Sequence, residues 1–167
     1  MKKTIVAVAA AGLLVAAVAL LAGCVAQHES AATAVSAGSM FALVLADSGE
    51  VLLTEIDVEA YHSDNGTLEL NKSGIEKWNS HLTYQSVPKL ADSLFSREFT
   101  IQIEGKEICR GKFWSNLSSA SVSGVVILDS LFKLDTERNF IWLKSSYPWD
   151  NALDPSINSE MARVFKE

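Results

Sequence analysis

Residues 99–114 read FTIQIEGKEICRGKFW, and this stretch decides the fold more than any other part of the chain. Apolar residues stand at every second position from Phe99 to Ile103, and a period of two is typical of a strand with one buried face. Gly105-Lys106 then turns the chain, because glycine adopts the backbone angles that tight turns require. An extended run follows to residue 114, so we predict a β-hairpin here.

A second hairpin is predicted upstream, where residues 51–61 and 67–70 alternate in the same way around Asp64-Asn65-Gly66. We place the turn at these three residues because Asn and Gly tolerate positive φ. In the first run the residues expected to face the core are Ile56, Val58 and Ala60, and those expected to face solvent are Asp57, Glu59 and Tyr61.

The strongest helix signal follows the second hairpin directly. Asn71 or Ser73 is a suitable residue to cap its start, because either side chain accepts a hydrogen bond from a free backbone N–H. Ile75, Trp78 and Leu82 stand at positions i, i+3 and i+7, which places them on one face of a helix. We expect this face to pack on the sheet.

Shorter apolar runs at residues 41–45, 125–128 and 140–143 predict further strands, and residues 158–166 predict a short terminal helix. Strands outnumber helices, and most of them come as hairpins. We therefore predict an α+β fold, with an antiparallel sheet built from hairpins and one main packed helix.

The amino-terminal segment has the pattern of a bacterial lipoprotein leader. Lys2 and Lys3 precede an uncharged apolar run over residues 5–22, which closes on Leu21-Ala22-Gly23-Cys24. Cations followed by an apolar stretch direct export, and a cysteine after small residues is where a lipid is attached. We predict a signal peptide over 1–23, cleaved before Cys24, a tether over 24–39 and one domain over 40–167. The alternative is an uncleaved anchor helix, since about 18 apolar residues can span a membrane.

The net charge and the number of cysteines limit the classes of partner and of covalent cross-link that are expected. The formal net charge is −6, and loss of the two leader lysines makes the mature chain −8. An acidic domain has no electrostatic reason to bind nucleic acid, so its expected membrane contact is the lipid on Cys24. The expected location is the outer face of the cytoplasmic membrane or the periplasmic face of the outer membrane. Lipidation leaves Cys109 alone, which excludes an intrachain disulfide.

A resemblance extends over about residues 51–128. The residues that carry it are 68–74, 99–108, 110–115, 117–119 and 124–127, with glycines at turns and aliphatic residues on strands. In these the chain resembles a family of uncharacterised bacterial secreted proteins and lipoproteins, and also the first periplasmic head domain of SecD. Glu104 stands where the turn of the SecD-like domain usually has Asp. The resemblance implies a fold and carries over no catalytic residue.

The candidate binding face consists of Arg110, Lys112 and Trp114. Alternate residues of a strand point to the same side of a sheet, so the three are expected to lie together. Cations and aromatic rings on a sheet face can bind a glycan or a peptide, and Trp149 offers a second aromatic platform. The alternative is that Trp114 packs at the sheet edge while the cations extend around it.

Other reactive groups favour ordinary structural roles. A metal site needs three or four convergent ligands, whereas His62 with Asp57 or Asp64 offers fewer, so no metal or cofactor is expected. Asp64 is also a typical turn residue. A lone cysteine such as Cys109 is most often a small buried hydrophobe.

We therefore expect a lipid-anchored, extracytoplasmic, non-enzymatic binding or accessory domain that recognises an envelope protein, a peptide or a glycan. One alternative is an envelope hydrolase that uses a serine of residues 118–121, with His62 or His81 as its base. Another is an inhibitor that inserts a loop into the cleft of an exogenous enzyme.

Overall fold

The computed structural model describes residues 38–82, 94–115, 118–128, 133–148 and 152–166, all of which lie in one compact unit spanning residues 31–167. The predicted signal peptide, Cys24, most of the tether and Trp149 lie outside these residues. The elements, in chain order, are β1 (Phe41–Leu45), β2 (Val51–Thr54), a 3-10 helix (Glu55–Asp57), β3 (Val58–His62), β4 (Thr67–Leu70), α1 (Lys72–Ser80), β5 (Glu98–Ile103), β6 (Lys106–Phe113), β7 (Val122–Ile127), β8 (Phe140–Tyr147) and α2 (Pro155–Phe165).

The eight strands form one curled sheet in the order β2-β1-β5-β6-β7-β8-β4-β3. Its two edge strands, β2 and β3, are joined by only the three residues of the 3-10 helix. A link that short spans at most about 14 Å, so the sheet has to bend until its edges approach one another. This curl creates the enclosed volume that holds the core.

The two helices pack against the edges of the curled sheet. Helix α1 contacts β2 and β4, and helix α2 contacts β3 and β5. The predicted helix face is confirmed, because Trp78 and Leu82 are buried and Ile75 packs against the core. Asn71 is the N-cap, with its side chain accepting the Gly74 N–H at 3.1 Å. Neither helix is long and apolar enough to cross a membrane, and these are the only two helices beyond the short 3-10 turn in the described residues.

The hairpin over residues 99–114 is confirmed. Strands β5 and β6 pair antiparallel, and the expected inward residues Phe99, Ile101 and Ile103 are all buried. The turn lies at Glu104-Gly105, one residue before the predicted Gly105-Lys106, because Lys106 already begins β6. Glu104 and Gly105 have φ of 51° and 76°, the positive pair that a two-residue hairpin loop requires. The register shifts between Ile101 and Gln102, so β6 carries a bulge near the turn.

The upstream hairpin exists, but the predicted facing is wrong for Ile56, Asp57 and Tyr61, whereas Val58 is buried and Glu59 is exposed as expected. Strands β3 and β4 pair around the predicted turn, yet Ile56 is 72% exposed whereas Asp57 and Tyr61 are buried. Two features break the period of two: residues 55–57 form a 3-10 turn, and β3 bulges between Val58 and Ala60. A bulge adds one residue to a strand, which places Val58 and Tyr61 on the same face.

The sheet is mixed, whereas a purely antiparallel one was predicted. It is compatible with the α+β class, but β6 and β7 pair parallel, with Gly111 opposite Val125 and Phe113 opposite Ile127. Strand β7 therefore runs in the same direction as β6 and pairs with its second half. Composition cannot reveal this direction. A second helix, α2, also packs on the sheet, and it starts at Pro155 because Asp154 caps it.

A polar cluster joins the 3-10 turn to α1, and we call it the Asp57 cluster. The fully buried Asp57 carboxylate accepts hydrogen bonds from Lys77 Nζ at 2.6 Å and Ser73 Oγ at 3.1 Å. It also accepts bonds from the N–H and hydroxyl of Thr54, at 2.9 and 3.0 Å. Gly74 allows this approach, because a Cβ there would lie 2.1 Å from the carbonyl oxygen of Asp57. The cluster therefore fixes α1 where the two sheet edges meet.

Candidate ligand-binding surface

The cations of the predicted binding face are neutralised within the protein. Arg110 lies 3.2 Å from the Glu107 carboxylate and 3.9 Å from that of Glu98. Lys112 lies 3.7 Å from the same Glu98. The structure therefore brings Arg110 and Lys112 together, but around a shared carboxylate on the neighbouring strand β5, so little charge is left to attract an anionic ligand.

Trp114 makes a different set of contacts at the end of β6. Its ring packs on Phe95 with centroids 5.0 Å apart, and its Nε1 donates to the Ala120 carbonyl at 3.3 Å. These contacts correspond to the packing alternative for this residue. The third proposed binding group is thus held by the loop that follows β6.

Among the serines of residues 118–121, Ser118 takes part in a hydrogen-bonded turn. Ser118 Oγ accepts the Ala120 N–H at 3.2 Å, and the Ser118 carbonyl accepts the Tyr147 hydroxyl at 3.2 Å. Such contacts are typical of Ser-rich loops, and an activated nucleophile instead needs a base in hydrogen-bond reach.

His62 is not placed to serve these serines. His62 lies level with Trp142 across β4, whereas Val122 lies level with Tyr147. The five-residue offset along β8 separates them by about 17 Å. His81 instead lies 3.4 Å from Glu50, and burial lowers its pKa.

The remaining reactive groups occupy other environments. Within the described ranges, no three His, Cys, Asp or Glu side chains are grouped to hold a metal ion. Asp57 is committed to its own cluster. Cys109 is half-buried against the core, and burial raises its pKa to about 12, so its thiol is neutral at physiological pH.

A different surface has the properties of a ligand site, and strand β8 lies at its centre. Phe140 and Trp142 point away from the core, because the intervening Ile141 is buried, and they are 36% and 39% exposed. Two aromatic rings exposed side by side on an inner strand of a sheet leave a substantial apolar surface in water. We call these two residues the aromatic pair.

A cleft of about 400 Å³ opens on one side of the aromatic pair. The volume lies in the range of small-molecule sites. Charged side chains of the 133–138 segment also line it, and those are Lys133, Glu137 and Arg138. Its apolar walls are formed by Trp78, Leu128, Leu134 and Ile141 together with the pair itself.

A shallower basin of about 420 Å³ lies on the other side of the pair. It is lined by His62, Asn65, Thr67 and Glu69 as well as the two rings. The Glu69 carboxylate is held by His62 Nε2 at 3.0 Å and by the Asn139 amide at 3.2 Å, and these hydrogen bonds lower its pKa. Glu69 therefore stays ionised and oriented.

Two buried polar atoms beside the aromatic pair lack hydrogen-bond partners. They are Trp78 Nε1 in the cleft wall and Thr67 Oγ1 in the wall of the basin, and they are the only such side-chain atoms in the part of the chain that the structure describes. Leaving such a group unsatisfied costs about 1–3 kcal/mol. Both atoms belong to residues that line the concavities on either side of the same pair of rings.

Sequence reasoning missed the aromatic pair because residues 140–143 are all apolar, so no alternation shows which of them face outward. The signal that could have found them is the polar segment before them. Residues 135–139 are all polar, and Phe140 follows directly, with Trp142 two residues later. No family model, curated protein or solved structure matches the chain.

Proposed function

We propose that the protein is a non-enzymatic binding domain held on the extracytoplasmic side of the cell envelope by a lipid on Cys24, and that it binds its ligand at the aromatic pair. The exposure of Phe140 and Trp142 between two concavities is the observation that carries the binding proposal. The Leu21-Ala22-Gly23-Cys24 motif supports the anchoring.

A binding role agrees with the arrangement of the reactive groups. Ser118 is engaged in turn hydrogen bonds, and His62 is bonded to Glu69. Specific ligand sites consist of apolar walls with a few polar groups, which is the composition around the aromatic pair. The ligand contacts are therefore assigned to β8 and not to the Arg110 region of β6.

The binding assignment is tested with 1-anilinonaphthalene-8-sulfonate, which fluoresces when it enters an apolar site. The protein used is residues 31–167, the compact unit that contains the whole described core. The double variant Phe140→Ala, Trp142→Ala is expected to bind the dye at least tenfold more weakly. The matched control is Arg110→Ala, Lys112→Ala, two residues at the same spacing on β6, which is expected to change the affinity less than twofold.

Near-ultraviolet circular dichroism distinguishes loss of the site from loss of packing, because a molten state loses that signal and also binds the dye. The proposal is overturned if the folded wild type does not bind the dye or if the two double variants weaken binding equally. For the anchor, Cys24→Ala is expected to move the protein out of the detergent phase. Unchanged partitioning would identify the leader as a membrane helix.

A further inference from the structure

We infer, on the basis of the proposed binding function, that the cleft accepts a single-chain amphiphile with a carboxylate head, with the chain against the apolar walls and the head at Arg138. Two features support this ligand class. The walls of the cleft are mainly apolar and its volume is small, and Arg138 differs from the other arginines in forming no ion pair with a described residue.

The walls suit a narrow apolar chain. Leu128, Leu134 and Ile141 are aliphatic, and the rings of Trp78 and Trp142 complete the surface. A volume of about 400 Å³ has room for on the order of ten groups the size of a water molecule, at about 30 Å³ each. An unbranched chain of about eight carbons fits that space, whereas a bulky folded partner does not.

The charge around the opening favours an anion. The chain has four arginines, and Arg97, Arg110 and Arg163 each lie within 3.2 Å of a carboxylate oxygen. Arg138 forms no ion pair with any described residue, although it lines the cleft. Arginine binds carboxylates through two parallel hydrogen bonds, so an unpaired guanidinium beside an apolar cleft is a suitable partner for an acid head group.

The neighbouring charges leave this preference intact. Lys133 and Glu137 also line the cleft, so the side chains contribute one net positive charge to the opening. That local sign is opposite to the −8 of the predicted mature chain, whose overall field repels anions. Binding of a carboxylate at Arg138 therefore depends on local charge, and added salt should weaken it.

The experiment is isothermal titration calorimetry of residues 31–167 with octanoate and with octan-1-ol, which share a chain and differ in head charge. Octanoate is expected to bind about fivefold more tightly than octanol. Arg138→Gln should remove this difference by weakening octanoate while leaving octanol unchanged. The matched control Arg163→Gln, at an arginine already paired with Glu104 and Glu160, should preserve the difference.

The outcomes separate this inference from the proposed function. Equal affinities for octanoate and octanol, or a preference that survives Arg138→Gln, overturn the carboxylate assignment. Absence of octanoate binding in a protein that still binds the naphthalene dye through Phe140 and Trp142 overturns the amphiphile and points to a peptide, a glycan or a second copy of the chain. Absence of both overturns the proposed function as well.

Discussion

Two regions of the protein treat buried polar groups in opposite ways, and a single helix contributes to both. Lys77 of α1 donates to the buried Asp57 carboxylate, which has four donors within 3.1 Å. The next residue, Trp78, lines the cleft, and its buried indole N–H has no hydrogen-bond partner among the described residues. The buried polar group of the Asp57 cluster is therefore fully paired, whereas that of Trp78 is not.

The two regions therefore contribute differently to stability. Burying a charge is costly unless it is paired and hydrogen-bonded, and the Asp57 cluster meets both conditions. Its role is to hold α1 and the two sheet edges together. A region that keeps exposed rings and an unsatisfied donor gives up stability, and such losses are typical of binding sites. The following predictions test this contrast through stability, in order of decreasing effect.

Asp57→Ala is expected to lower the free energy of unfolding by about 3 kcal/mol, because it leaves several donors of the cluster without an acceptor. Urea denaturation followed by far-ultraviolet circular dichroism measures the change. The control is Asp47→Ala, which removes an exposed carboxylate paired with Arg97 at 2.8 Å and should cost less than about 1 kcal/mol. Equal losses in the two variants would contradict a special role for the cluster.

Gly74→Ala is expected to cost about 2 kcal/mol, although alanine is the better helix former by about 1 kcal/mol. The new Cβ would lie 2.1 Å from the Asp57 carbonyl oxygen and 3.1 Å from the Leu70 Cβ, so α1 must move away from the 3-10 turn. The same denaturation measurement applies. Glu76→Ala, at an exposed position of the same helix, serves as the control, and a stabilised Gly74→Ala protein would show that the close packing of α1 is unimportant.

The free energy of unfolding should also depend on pH, because Asp57 has to stay ionised. Burial acts to raise the pKa of this carboxyl, but hydrogen bonds from Lys77, Thr54 and Ser73 outweigh it and hold the pKa below its usual value. The ionised Asp57 therefore contributes to the free energy of unfolding in full above the pKa of an unfolded Asp, about 3.9. This contribution is lost as the pH falls through the lower pKa of the folded protein. Asp57→Asn removes the titrating group.

The measurement is urea unfolding of the wild type and Asp57→Asn between about pH 6 and pH 2.5. The wild-type advantage is expected to stay constant down to about pH 4 and to shrink below it. An advantage that does not change with pH would show that Asp57 is not the group whose ionisation stabilises the fold.

Trp142→Ala should have the smallest effect on stability, about 1 kcal/mol, because the ring is already 39% exposed. Binding of the naphthalene dye should nevertheless fall strongly. Denaturation and dye titration of the same preparation test both statements together. A loss of 3 kcal/mol would place Trp142 in the core and remove the contrast between the two regions.

Local patterns predicted the elements better than their orientation. The hairpin over residues 99–114 and the helix face of Ile75, Trp78 and Leu82 followed from periodicity, since each element repeats over several residues. Periodicity did not predict which of residues 55–61 face the core, because a 3-10 turn and a bulge interrupt the alternation. The mixed sheet was also missed, because strand direction depends on the path of residues 114–121.

The site shows the same division. Arg110, Lys112 and Trp114 are alternate residues of one predicted strand, but Glu107 of that strand and Glu98 of the neighbouring strand together neutralise the two cations. The aromatic pair was passed over as part of an apolar strand. Which of two apolar neighbours is buried depends on the curvature of the whole sheet.

The amino-acid sequence alone determined the acidic character of the domain, the main hairpin and the capped helix, because each depends on neighbouring residues or on composition, and it predicts the lipoprotein leader from the same kind of local pattern. Only the tertiary structure decided that the sheet curls, that Asp57 is buried beside Lys77 and that Phe140 and Trp142 face outward. These features depend on contacts between residues far apart in the chain, whose energies outweigh local preference and leave no periodic pattern in the sequence.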